Sequence, residues 1–226
     1  MLHSIQQRYG EKLRAADGEI GHVRDFYFDD NNWTVRYLVA DTGGWLSGRL
    51  VLISPQALGQ LYPEGKVILV NLSRQQIEES PSIDEHMPVS RQLEEEYHRH
   101  YGYAYYAESM PLWGLGGYPV LAPPPLETDA KQEGVDSHLR SARVVAGYNV
   151  EANDGVVGAV ADFLIDAKTW VIREIVVACG HWYSGKKVFI STDKVSRISH
   201  DQSTVYVDST KDAFMEATEQ PQGSPA

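Results

Sequence analysis

The sequence predicts a mainly β protein: two small β-barrels in tandem, with short helices and a Tyr/Pro-rich linker. Three observations carry this. First, a shift of 137 positions lays residues 17–54 over 154–191 without a gap, and close to half the positions are identical. A repeat this long is a duplicated domain, not a solenoid unit. Second, each copy opens with Asp-Gly (Asp17-Gly18, Asp154-Gly155), a strong hairpin signal. Third, short runs rich in Val, Ile, Trp and Tyr follow at regular spacing, as in a barrel or sandwich.

The elements follow in order. A strand is expected over 21–28, and over 158–165 in the second copy. Asp29 and Asp166 then start short turns, where Asp caps backbone N–H groups. The next strand covers 33–41 (170–178) and is apolar on both faces, as in a covered sheet. Its alternation puts Trp33, Val35, Tyr37 and Val39 on one face. Arg36 falls on the other with Leu38 and Ala40, so Arg36 and its counterpart Arg173 are expected to be buried beside a carboxylate. Two further strands fit 49–54 (186–191) and 66–71 (204–208), and short helices at 73–79 and 211–218 close the copies.

Between the copies a helix is expected to start at Ser90, its N-cap, with Leu93, Tyr97 and Tyr101 on one face. The Gly/Pro-rich stretch 110–125 reads as linker, stiffened by Pro123, Pro124 and Pro125. The resulting organisation is 1–80, first β domain; 81–137, helix and linker; 138–216, second β domain; 217–226, disordered tail.

The recurring Asp-Gly strand, with Trp33-Thr34-Val35-Arg36-Tyr37-Leu38-Val39, Gly43-Gly44-Trp45-Leu46 and Val51-Leu52-Ile53-Ser54, resembles the PRC-barrel domain. The second copy matches more loosely, with Gly180-His181-Trp182-Tyr183 in the loop. The resemblance implies a small β-barrel, as in the cytoplasmic part of the photosynthetic reaction centre H subunit and the C-terminal domain of a ribosome-maturation factor. It implies little about activity, since one fold hosts many functions.

Composition narrows the function classes. The net charge is −11 and the pI about 5.1. An acidic chain suits neither nucleic acid nor anionic lipid, both of which reward clustered cations. The N-terminal residues lack the apolar run of a secretory signal, and no window approaches a membrane span. A cytoplasmic location is expected, with the single Cys179 reduced.

Gly180-His181-Trp182-Tyr183-Ser184-Gly185-Lys186-Lys187 is nearly a phosphate-cradling loop. However, Lys187 replaces the Mg²⁺-binding hydroxyl, and a strand rather than a helix is expected to follow, so a hairpin loop is the better reading. The recurring acids Asp25/Asp162 and Asp29/Asp166 read as turn caps rather than as a catalytic or Ca²⁺-binding set. His98-Arg99-His100 and Cys179-Gly180-His181 fall short of the convergent ligands a metal needs. No cofactor and no metal are expected.

Trp45 and Trp182 occupy the same loop in both copies, as lids on the core or as anchors for a partner. Tyr103, Tyr105, Tyr106 and Trp113 belong to an aromatic stretch with no strand pattern. They either pack between the barrels or form an apolar patch for another protein. The sequence thus suggests a non-enzymatic scaffold or adaptor that binds a protein through these six residues, with a homodimer possible. Its alternatives are a small-ligand or metal sensor with a site between the barrels, and a peripheral component of a photosynthetic or electron-transfer membrane assembly.

Overall fold

The Asp-Gly turns open the longest strands. The computed structural model describes residues 1–59, 67–81, 99–102, 139–179 and 186–214. The first copy contains β1 (Leu2–Ser4), β2 (Lys12–Ala15), β3 (Gly18–Asp29), β4 (Thr34–Asp41), β5 (Leu50–Ile53), β6 (Val67–Leu69) and helix α1 (Arg74–Glu78). The second contains β7 (Leu139–Ser141), helix α2 (Ala142–Val145), β8 (Asn149–Ala152), β9 (Gly155–Asp166), β10 (Ile172–Cys179), β11 (Lys187–Ser191), β12 (Val195–Ser199) and β13 (Thr204–Val207). Ser73 starts α1 as a reciprocal capping box with Gln76. The Asp17 carboxylate accepts the Arg74 N–H, and Asp154 accepts the Lys211 N–H in the same way, so each hairpin turn is tied to the closing helix.

The strands form two sheets, in the orders β5-β4-β3-β2-β6 and β11-β10-β9-β8-β13-β12. Among the described residues these ladders are open paths, not the closed barrels that strand spacing suggests. The edge left by β2 at the far end of β3 is taken by β7, at Phe28 opposite Arg140. The matching edge of β9 is taken by β1, at Ile165 opposite His3. Each copy therefore lends its first strand to the other's sheet. The far lengths of β3 and β9 thus join the copies.

Bulges re-aim the long strands. In the β3–β4 ladder Tyr27 pairs with Tyr37 and Phe28 with Val35, which leaves Arg36 as the extra residue. In the β9–β10 ladder Arg173 is passed over in the same way. A bulge reverses which side chains face inward. Val35, Leu38 and Ala40 consequently share one core while Tyr37 and Val39 face the other side. This corrects the expected burial of the two arginines: Arg36 is half-buried and Arg173 exposed.

The principal core runs through both copies. Phe28 lies 5.5 Å from Phe163 across the junction and stacks on Trp33. Trp33 and Trp170 are buried and adopt left-handed φ of 57° and 59°. The Ile172 N–H donates to the Trp33 carbonyl at 2.7 Å, and the Val35 N–H to the Trp170 carbonyl at 2.9 Å. A buried aromatic removes about 150–250 Å² from water, worth about 4–6 kcal/mol before entropy. Several such rings meeting at one junction bind the copies into one body.

Strand β1 also carries a titratable contact. The buried Arg8 guanidinium donates to His3 Nδ1 at 2.6 Å and to Glu11 Oε1 at 2.9 Å. A ring nitrogen that accepts is unprotonated, so His3 is neutral here. Burial, then the Arg8 charge, then the N-terminal amine push its pKa below 6.5. The unfolded chain thus binds the proton more readily. Stability from this site is complete above about pH 6.5 and is lost as pH falls from there through the folded value. Denaturant unfolding at pH 7.5 and 5.5 is expected to show a smaller loss on acidification for His3→Gln than for the parent. An equal loss would show that His3 contributes nothing.

Candidate functional site

The junction between the copies is built from reciprocal contacts. The Ser141 hydroxyl donates to Asp25 Oδ2 at 2.5 Å and accepts the Val144 N–H, so it caps α2. The Asp25 carboxylate also accepts the Phe26 and Arg143 N–H groups. Under the repeat, Asp162 does the same: it accepts from the Ser4 hydroxyl at 2.5 Å and from the Gln6 and Phe163 N–H groups. Such i-to-j and j-to-i contacts are those of a two-fold interface, here within one chain. The expectation that Asp25 and Asp162 cap turns is corrected: they lie at strand bulges and cap the first helical turn of the opposite copy. Asp29 and Asp166 do cap turns, through the Asn31 N–H and the Lys168 and Thr169 N–H groups.

Burial sets the electrostatics. Asp25 is pushed above its ordinary pKa by burial, against the opposing pull of Ser141, the two N–H groups and the Arg143 charge. Tyr9 feels the charge of both acids. Burial foremost, then the Asp25 carboxylate, raises its hydroxyl well above the usual tyrosine range. The Arg143 guanidinium stands 4.5 Å over the Tyr9 ring. Tyr9 and Arg143 themselves line a pocket of about 240 Å³ that also reaches Ile5, Gln6, Ala146, Asp162 and Phe163.

Trp45 sits in the 3₁₀ turn Gly43–Leu46, half-buried against the core. The Arg74 guanidinium covers its ring at 4.4 Å. Cation–π stacking of this kind contributes about 0.5–1 kcal/mol at an exposed site. The geometry is that of a lid. Trp182, Tyr103, Tyr105, Tyr106 and Trp113 lie outside the described residues, as do the glycine loop before Lys186, the helix start at Ser90 and the linker. His100 is exposed and contacts the Gln76 carbonyl. Cys179 is buried, which pushes its thiol up and makes it a poor nucleophile. Among the described residues no three His, Cys, Asp or Glu side chains converge. Among the same residues no helix is long and apolar enough to cross a membrane.

The outer sheet faces differ between the copies. On the first, Tyr37, Val39 and Leu52 are buried beneath Tyr101 and Leu139. The repeat places Glu174, Val176 and Phe189 at those positions, with Leu2 for Leu139. Phe189 is 54% exposed on the edge strand β11, and Leu2 is 41% exposed. Phe189, Tyr9 and Arg143 were not singled out by sequence reasoning. The sole cue to Phe189 was a Phe at the position of Leu52 in the aligned strands.

Comparison with known proteins agrees with this architecture. The family model for the PRC-barrel domain matches residues 10–76 and 142–214. No curated protein matches the chain. Two matched segments cover the two copies and together exceed half of the chain, so the protein belongs to the PRC-barrel domain family.

Proposed function

We propose that this chain is a non-enzymatic, cytoplasmic scaffold that binds another protein through the outer face of its second copy. The exposed Phe189, where the first copy buries Leu52, carries the reading. An aromatic side chain on an open sheet edge is a good anchor for a partner. Lys187 shares its face of β11, and Glu174 that of the paired strand, so the fitting contact is apolar with a rim of both charges. The use of Asp25 and Asp162 as caps supports a non-enzymatic role, because the recurring acids already hold three hydrogen bonds each. The acidic balance speaks against nucleic acid.

The test is affinity capture from host lysate with the full chain, Phe189→Ser and Trp45→Ala, each checked for fold by circular dichroism. One stoichiometric partner is expected with the parent, reduced at least about tenfold by Phe189→Ser, the loss of a hot-spot contact. Unchanged capture by Phe189→Ser, or no partner at all, would overturn the reading. Loss with Trp45→Ala alone would move the contact to the Trp45 turn.

A further inference from the structure

We propose that the pocket at the junction of the two copies is a binding site for a small, single-ring phenol. The repeat itself shows the fit. Its 137-residue shift carries Gln6 onto Arg143, Tyr9 onto Ala146, Asp25 onto Asp162 and Phe26 onto Phe163. Tyr9 and Arg143 wall one side of the pocket, and the residues on its other side are the repeat's counterparts of those around Tyr9. On the first side the Tyr9 ring packs at 6.2 Å from Phe26, under a guanidinium and near Asp25. On the other side Ala146 stands where a tyrosine would, and the space opens onto Phe163 and Asp162. Tyrosine less alanine is a phenol.

Size and chemistry agree with this assignment. A cavity of about 150 Å³ suffices for benzene. The 240 Å³ here takes one substituted ring and is small beside the roughly 300–1,000 Å³ of drug-sized or cofactor sites. Ile5 and Phe163 are buried and give the ring its apolar walls. Asp162 Oδ1 takes two N–H groups, whereas Oδ2 takes the Ser4 hydroxyl alone and keeps a lone pair for a phenolic O–H. Gln6 stands at the rim where Arg143 stands over Tyr9.

Calorimetric titration of the full chain with phenol, the tyrosine side chain beyond the carbon that Ala146 already supplies, tests this. Saturable one-to-one binding is expected, with a Kd of about 1 mM or below for so few atoms. Benzene, which lacks the hydroxyl, should bind at least about tenfold more weakly. Ala146→Tyr should fill the site with the protein's own ring and abolish binding. Ala146→Leu, a smaller filling, serves if the tyrosine variant misfolds. Non-saturable heats up to about 10 mM, ten times the expected Kd, would overturn the proposal. Benzene as tight as phenol, or unchanged binding in a folded position-146 variant, would do the same.

Discussion

Gly21→Ala is expected to lower the stability of the fold by about 3 kcal/mol or more, among the largest effects of any single substitution here. Gly21 lies in β3 with φ of +131°, and a Cβ built on it would fall 1.9 Å from the Asp41 carbonyl oxygen. That oxygen belongs to the paired strand, so relief requires the sheet to part rather than a side chain to turn. Gly158 repeats the approach, with its Cβ 2.1 Å from the Ala178 carbonyl oxygen. Replacing glycine by alanine ordinarily gains about 0.4–1 kcal/mol through the unfolded chain where the backbone permits it. Here the collision sets the opposite sign. Gly10 and Gly158 separate strain from collision: Gly10 has φ of +78° and nothing within 4 Å of its Cβ, whereas Gly158 collides without a left-handed φ. Gly10→Ala should cost about 1 kcal/mol, the strain alone. Urea unfolding of Gly21→Ala, Gly158→Ala and Gly10→Ala decides it. A Gly21→Ala midpoint equal to that of Gly10→Ala would show that the sheet accommodates the methyl.

The strands were legible because their signals are local. Asp17-Gly18 and Asp154-Gly155 mark turns, and the β-branched runs after them mark strands. Pairing across the copies was not legible, since β1 and β7 are three residues each and too short to show a period. The bond from Ser141 to Asp25 spans 116 residues. Arg36 was misplaced for a related reason: strict alternation assumes no bulge, and one extra residue turns every later side chain over. Trp45 was legible as a loop aromatic, but not the cation from Arg74 that covers it. The pocket is not legible in the sequence because the recognisable repeat begins at Asp17. The upstream pair Tyr9 and Ala146 looks unrelated until the shared shift is carried back to the N-terminus.

Asp25→Ala is expected to cost about 3 kcal/mol, because it strips acceptors from the Ser141 hydroxyl and from the Phe26 and Arg143 N–H groups at a buried site. Relief of a desolvated charge offsets part of the loss. Asp162→Ala should cost less, about 1–2 kcal/mol, since Asp162 is half-buried and water replaces it. The pH dependence isolates the charge. Burial holds Asp25 above its ordinary pKa, so between the unfolded and folded values the native state binds the extra proton. Its contribution is complete below about pH 3.9, the unfolded value, and falls as pH rises through the folded one. Asn cannot ionise but keeps an amide oxygen for the two N–H groups. Relative to the parent, Asp25→Asn should therefore gain stability between pH 4 and pH 7, read as the difference in urea midpoints. A gap that stays constant over that range would mean that Asp25 titrates as it does in the unfolded chain. The junction would then hold its carboxylate by hydrogen bonds strong enough to cancel the cost of burial.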